Sequence, residues 1–432
     1  MPVGYWPSRW PGEDGGPRRE QAPNEPSVEQ GQGLLPAADG FALQATSRLA
    51  IASTMVVLRD PGEVYLLCHT AGDDAVSWVE QLHPHTLEVV RRSPDLAGGP
   101  TWPGGMACHA NGSIYVVFGR HAHRLSPALD VLATAQLPRR RPYNSFVILP
   151  SGHLATKDFG GLRANQTEPD ELGASELLVL EPEGLEVVAT CQLPEPSIAR
   201  LSADGDDIYV VGDTSLQRVR WTGAALVLDP SFRAVYRTLP GQTYGWDAVI
   251  SAGAAWFLDN GFGSNRYAGT FRGTGINEAP LHLVRVSLAT GAVTLTEVCG
   301  LPGGVIANPP AIDPERSIAV AYDSGNGVVA AFRFDDDGVT SPLWQVQLNH
   351  AAHPLRFPRS GELLLCHYDV DRKADQAVVV AIETGEELAR VDYGSPIQSV
   401  LFAAAGFDAD VYLCSFSTVA RLFTAPTGDE QH

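Results

Sequence analysis

Short apolar runs separated by tight polar turns recur along most of the chain. Each unit reads as an apolar strand, a turn containing Gly or Asp, and a second apolar strand, as in TMVVLRDPGEVYLLCH, SFVILPSGHLATKD and PLRFPRSGELLLCH. Eight such copies lie between about residue 53 and residue 415. Apolar runs of strand length with turn residues every roughly eight to twelve positions are typical of an all-β protein. We therefore predict an all-β fold.

Further strands follow in most copies, because SWVEQLHPHTLEVVRR, LLVLEPEGLEVVATC and VVVAIETGEELARVDY each read as strand, turn, strand. Four antiparallel strands per unit are typical of one blade of a β-propeller. We predict eight blades, with seven as the alternative if one copy is misread. The last copy has room for three strands, and GFALQATSRLA near the start supplies the fourth. Pairing the two ends of the chain in this way closes the ring and leaves no open edge.

The propeller is predicted to be a single domain over residues 39–432. It follows an N-terminal arm over residues 1–38 that is rich in Pro, Gly and charge. We predict that this arm is poorly ordered; the alternative is that Trp6 and Trp10 anchor it to the propeller. The arm has no apolar segment of the kind that a secretory signal needs.

Two blades carry a recognisable pattern around their outer turn. The segment IETGEELARVDYGSP, and more weakly LATGAVTLTEV, match xxxTGExxxxxxxxxSP. With this pattern the chain resembles β-propellers with quinoprotein-like or gluconolactonase-like blade repeats, over nearly the whole body of the chain and without matching one family closely. The resemblance implies the propeller fold. By analogy with gluconolactonase-like propellers, it also implies a divalent cation, Ca²⁺ or Mg²⁺, held by oxygen ligands from several blades.

The composition of the chain limits the kinds of partner and the cellular compartment that we expect for the protein. The chain has 30 basic and 50 acidic residues, and its net charge of -20 argues against nucleic acid or membrane as the main partner. Six cysteines lie without CxxC spacing, which favours buried free thiols and a cytoplasmic location. No Walker loop and no GxGxxG in a strand-to-helix setting occurs, so no nucleotide cofactor is predicted. We expect a cytoplasmic monomer whose partner is a small molecule.

Polar residues interrupt the apolar pattern at two places in each blade, and in a propeller both places lie on one face. The loops leading into the innermost strands and the ends of the second strands meet there, so we predict a polar site at the channel mouth. Candidates in the incoming loops are Asn144, Trp246, Asp247, Asn308 and His353. Candidates at or near the ends of second strands are His69, Asp158, Asp259, Asp323, His367 and Tyr368. The alternative is that each is an ordinary turn or capping residue.

These residue types indicate specific chemistry. Asp158, Asp259 and Asp323 offer the hard oxygen ligands that Ca²⁺ or Mg²⁺ prefers. Histidines 69, 353 and 367 are candidates for general acid and base, or for transition-metal ligation. Lys157 is one of only two lysines, and a desolvated lysine can act as base or nucleophile. Its alternative role is a simple ion pair with Asp158.

Two long insertions leave the predicted site face, one after Asp158 and one after Asp259. The second contains Arg266, Tyr267, Phe271 and Arg272, which we predict to contact an anionic or aromatic ligand. The combined prediction is a soluble propeller enzyme, a hydrolase or lyase, acting at the channel mouth with or without a divalent metal. The alternative is a non-catalytic propeller for ligand binding or protein interaction.

Overall fold

Eight antiparallel sheets form a ring, which is an eight-bladed β-propeller; seven of them have four strands, and the first has a short fifth strand. This computed structural model describes residues 1–24, 33–36, 40–161, 173–335, 337–338 and 340–427. The predicted fold class and the count of eight blades are both confirmed.

The first strand, β1 (Phe41–Leu49), is the outermost strand of the eighth blade. Blades one to four contain β2 (Ser53–Leu58), β3 (Val64–His69), β4 (Ala75–Leu82), β5 (Val89–Arg92), β6 (Leu96–Gly99), β7 (Gly105–Cys108), β8 (Ile114–Phe118), β9 (His121–Leu125), β10 (Val131–Gln136), β11 (Tyr143–Ile148), β12 (Leu154–Asp158), β13 (Glu176–Leu180), β14 (Val187–Gln192), β15 (Ser202–Asp204), β16 (Asp207–Val211), β17 (Ser215–Trp221) and β18 (Leu226–Val235).

Blades five to eight contain β19 (Val249–Ser251), β20 (Ala254–Leu258), β21 (His282–Ser287), β22 (Val293–Glu297), β23 (Ala311–Asp313), β24 (Ile318–Asp323), β25 (Val328–Phe334), β26 (Thr340–Gln347), β27 (Leu355–Phe357), β28 (Glu362–Asp369), β29 (Ala374–Ala381), β30 (Glu387–Ser395), β31 (Ala403–Ala405), β32 (Val411–Cys414) and β33 (Thr418–Pro426). Short 3₁₀ turns lie at Glu13–Gly15 and Ser264–Arg266. Within the described ranges no helix is long and apolar enough to cross a membrane.

The two ends of the chain close the ring. Strand β1 pairs antiparallel with β33 along its whole length, from Phe41 opposite Pro426 to Leu49 opposite Thr418. The eighth blade therefore takes three strands from the end of the chain and one from the start, as the sequence indicated.

Burial explains why the inner strands read as continuous apolar runs. All six residues of β3 are buried, whereas none of the six residues of β14, an outermost strand, is buried. Both faces of an inner strand pack against neighbouring blades, so neither face keeps polar residues. The turn between the first two strands of a blade uses glycine where φ is positive, as at Gly152 (82°) and Gly361 (74°).

The start of the arm differs from the prediction of poor order. Residues 1–24 pack against innermost strands of the ring, where Trp6 N donates to Cys108 O, Leu58 N donates to Trp10 O, and Arg356 N donates to Gln21 O. Only 1% of Trp10 is exposed. The alternative role given to Trp10, that of an anchor, is the arrangement observed. Residues 25–32 and 37–38 of the predicted arm, and residue 39 of the predicted propeller, lie outside the described residues.

Candidate functional site

A cavity of about 670 Å³ lies at the channel mouth, on the face predicted from the sequence. Its size is in the range of small-molecule sites. Six aromatic side chains line it: Trp102, Trp246, Tyr267, Phe271, Phe402 and Phe416. Its polar lining includes His69, Asp73, Arg200, Asn308 and His353.

The insertion after Asp259 contributes Tyr267 and Phe271 to the lining of the cavity. The Tyr267 hydroxyl donates to Gln398 O at 2.5 Å, and Phe271 N donates to Gln398 Oε1 at 2.7 Å. These bonds fasten the insertion to the loop that leads into the eighth blade, so both rings are held against the cavity. Arg266 is exposed and does not line it.

A histidine and a carboxylate from opposite ends of the sequence meet at the cavity. His353 Nδ1 lies 2.8 Å from Asp14 Oδ1, and the imidazole stacks on Phe402 with 4.0 Å between ring centroids. Because a carboxylate only accepts, Nδ1 carries the proton in the neutral ring, and Nε2 is left with its lone pair. No described residue is hydrogen bonded to Nε2, and His353 lines the cavity.

Asp14 is held in place and kept ionised by Arg19 and His353. Burial alone would raise the pKa of its carboxyl, but the charges and hydrogen bonds of His353 and Arg19 hold that pKa below its usual value. Arg19 Nη1 lies 2.9 Å from Asp14 Oδ2, and Nη2 lies 2.6 Å from Glu13 Oε2. The arm thus brings a buried charge network to the underside of the pocket.

Arg200 closes the floor beside this network. Its Nη1 donates to Asn144 O at 2.5 Å and its Nη2 to Pro103 O at 3.0 Å. Its own backbone N donates to Asp247 Oδ1 at 2.6 Å. Its guanidinium also lies over the Phe402 ring, 4.7 Å from the centroid. The donors of Arg200 are therefore largely engaged by the protein itself.

Two further side chains present acceptors. Asn308 Nδ2 donates to Ala351 O at 2.5 Å and to Val400 O at 3.0 Å, which commits both amide hydrogens. His69 Nδ1 lies 2.7 Å from Thr70 O, and burial lowers the pKa of His69. The ring is therefore neutral, with its proton on Nδ1, and the buried Nε2 has no partner among the described residues.

Six of the predicted site residues line the cavity, and the others do not. Those that line it are His69, Trp246, Tyr267, Phe271, Asn308 and His353. Two more lie beneath it and support Arg200, namely Asn144 and Asp247.

The side chains of His367 and Tyr368 form hydrogen bonds outside the cavity. His367 Nδ1 accepts a hydrogen bond from Asn349 N at 3.2 Å, and the Tyr368 hydroxyl donates to Pro396 O at 3.2 Å. Neither side chain lines the cavity. His367 and Tyr368 therefore lie outside the cavity that His69 lines, although His69 and His367 both lie near the ends of second strands.

The structure also corrects the predicted metal ligands, because the three aspartates stay in their own blades. Asp158 Oδ1 accepts from Glu176 N at 2.5 Å, and Asp259 Oδ1 accepts from His282 N at 2.6 Å. Each of these two carboxylates thus binds the first residue of the third strand in its blade. Asp323 Oδ1 accepts from Asn326 N at 3.1 Å. The capping role given as the alternative is the one observed.

Lys157 is buried but does not line the cavity. Its Nζ donates to Ser197 O at 2.9 Å and to Asp158 O at 3.3 Å, while the Asp158 carboxylate pairs with Arg141 at 2.8 Å. Burial lowers the pKa of Lys157 to about 8. The predicted ion pair with Asp158 is thus replaced by carbonyl contacts.

Lys157 gives a prediction on stability. Its folded pKa lies below the unfolded value of about 10.4, so the stability contributed by the neutral amine is complete above that pH and lost as pH falls through about 8. Between pH 7 and pH 10.5, wild type should therefore gain about 2–3 kcal/mol relative to Lys157→Met. Urea unfolding at both pH values measures this difference. Lys373→Met, at the exposed lysine, is the matched control and should show no such gain; an equal gain in both variants would contradict the burial argument.

Sequence reasoning missed Asp14, Trp102, Arg200 and Phe402. Arg200 has a signal, because it precedes the innermost strand β15 at the position that Asp247 and His353 occupy before β19 and β27. Aligning the blades on their innermost strands would have found it. Asp14 has no such signal, since it lies in the arm, outside every repeat.

Comparisons with known proteins bear on the fold. No protein-family model matches the chain, and no curated protein matches it in sequence. Among solved structures, a quinohemoprotein alcohol dehydrogenase from Pseudomonas putida is similar, with a TM-score of 0.62 and 10% identity over 99% of this chain and 82% of that one. A europium-containing methanol dehydrogenase gives 0.58 and 9% over 94% and 89%. BamB from Moraxella catarrhalis gives 0.56 and 10% over 90% and 99%.

The resemblance to quinoprotein-like propellers is confirmed at the level of the fold. At 9–10% identity, the functional residues of these proteins cannot be matched to positions in this chain. The similar structures therefore do not assign an activity to this chain.

Proposed function

We propose that the pocket binds a small, mainly apolar molecule and that His353 acts as the general base, taking a proton from that molecule in a lyase reaction or from the attacking water in a hydrolase reaction. The observation that carries this proposal is the pairing of His353 Nδ1 with the Asp14 carboxylate at 2.8 Å, at the wall of the aromatic cavity. A base held in one tautomer by a carboxylate is the arrangement that general-base catalysis uses.

Each residue has a distinct part in this scheme. His353 Nε2 takes the proton, and Asp14 fixes the tautomer and stabilises the imidazolium that forms. Arg19 and Phe402 are positioning residues, since Arg19 orients Asp14 and Phe402 fixes the plane of the imidazole. The aromatic walls exclude water, which strengthens the interaction between the imidazolium and the carboxylate.

The predicted divalent cation does not fit the residues of this pocket. Within the described residues no three His, Cys, Asp or Glu side chains come together in a way that could hold a metal ion. The carboxylates beneath the pocket are engaged with arginines: Glu13 and Asp14 with Arg19, and Asp247 with the backbone of Arg200. The proposed reaction is therefore derived without a metal step.

Ring opening of 5-nitrobenzisoxazole tests the proposal without knowledge of the natural substrate. A base removes the single ring C–H proton, the N–O bond breaks, and a coloured cyanophenolate forms. We expect saturable turnover that falls at least about a hundredfold in His353→Gln, since a positioned base contributes that much. Asp14→Asn should lower kcat and change the pH profile of the rate, which a purely structural change would not do.

His367→Gln is the matched control, because it removes a histidine outside the cavity and should keep the wild-type rate. Thermal unfolding of each variant separates loss of the base from loss of the fold. Turnover that is not saturable, or that persists in a folded His353→Gln variant, would contradict the assignment of His353.

The second candidate function is ligand binding without turnover. It is favoured by the burial of His353, of which only 3% is exposed, and by its contact with the arm, which it helps to fasten. In that case the pocket should bind the same probe, while His353→Gln would lower stability and leave the slow background rate unchanged.

A further inference from the structure

We infer that the ligand of this pocket is a flat aromatic molecule that carries hydroxyl groups, a phenol rather than a carboxylate or an ether. This inference rests on the proposed function only in taking the cavity as the site, and it concerns what the cavity recognises rather than what His353 does.

The polar atoms without a partner at this cavity include three acceptors and one donor, the indole Nε1 of Trp246, and a ligand hydroxyl group can serve both kinds because it donates and accepts. Asn308 commits both amide hydrogens to Ala351 O and Val400 O, so only its Oδ1 remains for a ligand. His69 and His353 each use Nδ1 for a carbonyl or carboxylate oxygen, which leaves the lone pair of Nε2. A ligand must supply hydrogen-bond donors to satisfy these three atoms, because buried acceptors without donors are costly.

The charges argue against an anionic ligand. Arg200 is the one arginine or lysine side chain that lines the cavity within the described ranges. Its guanidinium is already bound to Asn144 O and Pro103 O, and Glu13 Oε2 lies 3.3 Å from its Nη1. The lining also includes the carboxylate of Asp73, and the chain as a whole has a net charge of -20. A carboxylate ligand would therefore find no uncommitted cation here.

The walls explain why the ligand is flat and aromatic. Trp102 and Trp246 lie with nearly parallel planes, 20° apart, and Phe159 stacks behind Trp102 at 4.3 Å. Tyr267, Phe271 and Phe416 form a second aromatic group, with 5.1 Å between the Tyr267 and Phe271 centroids and 6.2 Å between those of Tyr267 and Phe416. Offset stacking on such walls favours rings over flexible chains.

A matched set of coumarins tests the inference. 6,7-Dihydroxycoumarin supplies donors, 6,7-dimethoxycoumarin has the same ring without donors, and coumarin-3-carboxylate adds an anion. In titrations followed by protein fluorescence with EDTA present, the dihydroxy compound should bind at least about tenfold more tightly than the other two, as expected for one or two hydrogen bonds to buried acceptors.

Variants separate recognition by the acceptors from simple apolar binding. His69→Phe keeps a ring at the place where His69 stacks on Phe118 but removes the Nε2 acceptor, so the preference for the dihydroxy compound should fall to about threefold or less. His367→Phe makes the same change outside the cavity and should keep the full preference.

Equal or tighter binding of the dimethoxy or carboxylate compound would overturn the inference, as would an unchanged preference in His69→Phe or no measurable binding of the dihydroxy compound. These outcomes are independent of turnover. If the pocket prefers ligands with hydroxyl groups but shows no turnover, the assignment of His353 as the general base is contradicted, while the inferred ligand class still holds.

Discussion

Replacing Arg19 by methionine should lower the free energy of unfolding by about 3–5 kcal/mol, because removing one partner of a buried ion pair leaves the other charge uncompensated. Only 1% of the Arg19 side chain is exposed, and its guanidinium contacts both Glu13 and Asp14. It also donates to Leu201 O at 2.7 Å and to Ser145 Oγ at 2.9 Å. Urea unfolding at pH 7, followed by tryptophan fluorescence, measures the loss.

The neighbouring arginine is the control. Arg18 pairs with Asp204 at 2.5 Å, but 50% and 39% of the two side chains are exposed. Arg18→Met should therefore cost no more than about 1 kcal/mol. If the two substitutions at adjacent positions have equal effects, Arg19 is not buried against the inner strands of the ring as described.

The same network has an expected pH dependence. The folded pKa of Asp14 lies below its unfolded value, so the stability it contributes is present above about pH 4 and is lost as the pH falls through the folded pKa. Arg19→Met removes one of the causes of that lowering. The variant should therefore lose less stability than wild type on acidification, in the same unfolding experiment.

The second large effect on stability is expected when the Trp10 side chain is truncated. Trp10→Ala should lower the free energy of unfolding by about 3–5 kcal/mol, because a fully buried indole is replaced by a cavity. Trp10 packs in a core cluster that also contains Leu34, Val56 and Tyr412, and so ties the arm to the first and eighth blades. Its carbonyl accepts from Leu58 N at 2.8 Å, so the backbone is positioned as well.

Trp6→Ala is the matched control for the arm. Trp6 is half-buried, donates from its indole N–H to Asp60 Oδ1 at 3.1 Å and lies 4.0 Å from the Arg59 guanidinium. Its loss should cost about 1–2 kcal/mol, since less of its surface is buried. A loss at Trp10 no larger than the loss at Trp6 would show that the arm is bound only at the surface.

The blades could be predicted because the constraints on their strands and turns act between residues close in sequence and recur in every blade. Inner strands packed on both faces must be apolar throughout, and turns with positive φ need glycine, so residues such as Gly152 and Gly361 mark each unit. Closure by β1 followed from the count of strands alone. Neither inference depends on knowing which residues are distant neighbours.

The order of the arm and the pairing of Asp14 with His353 could not be predicted in the same way. The arm has the composition of a disordered segment, because its stability comes from a few anchors such as Trp10 and from ion pairs that only the channel completes. Asp14 and His353 are 339 residues apart, and no periodicity relates them. The aspartates that follow second strands were misleading for a physical reason: their carboxylates satisfy backbone N–H groups within the same blade, as at Glu176 and His282.

The proton position on His353 tests the central claim most directly. Long-range ¹H–¹⁵N NMR of protein labelled at histidine, with the His353→Gln variant to assign the signals, identifies which ring nitrogen carries the proton in the neutral ring. The account predicts a proton on Nδ1, a bare Nε2, and a changed tautomer balance in Asp14→Asn. A proton on Nε2 in the wild-type protein, or a His353 spectrum that is the same in Asp14→Asn, would contradict it.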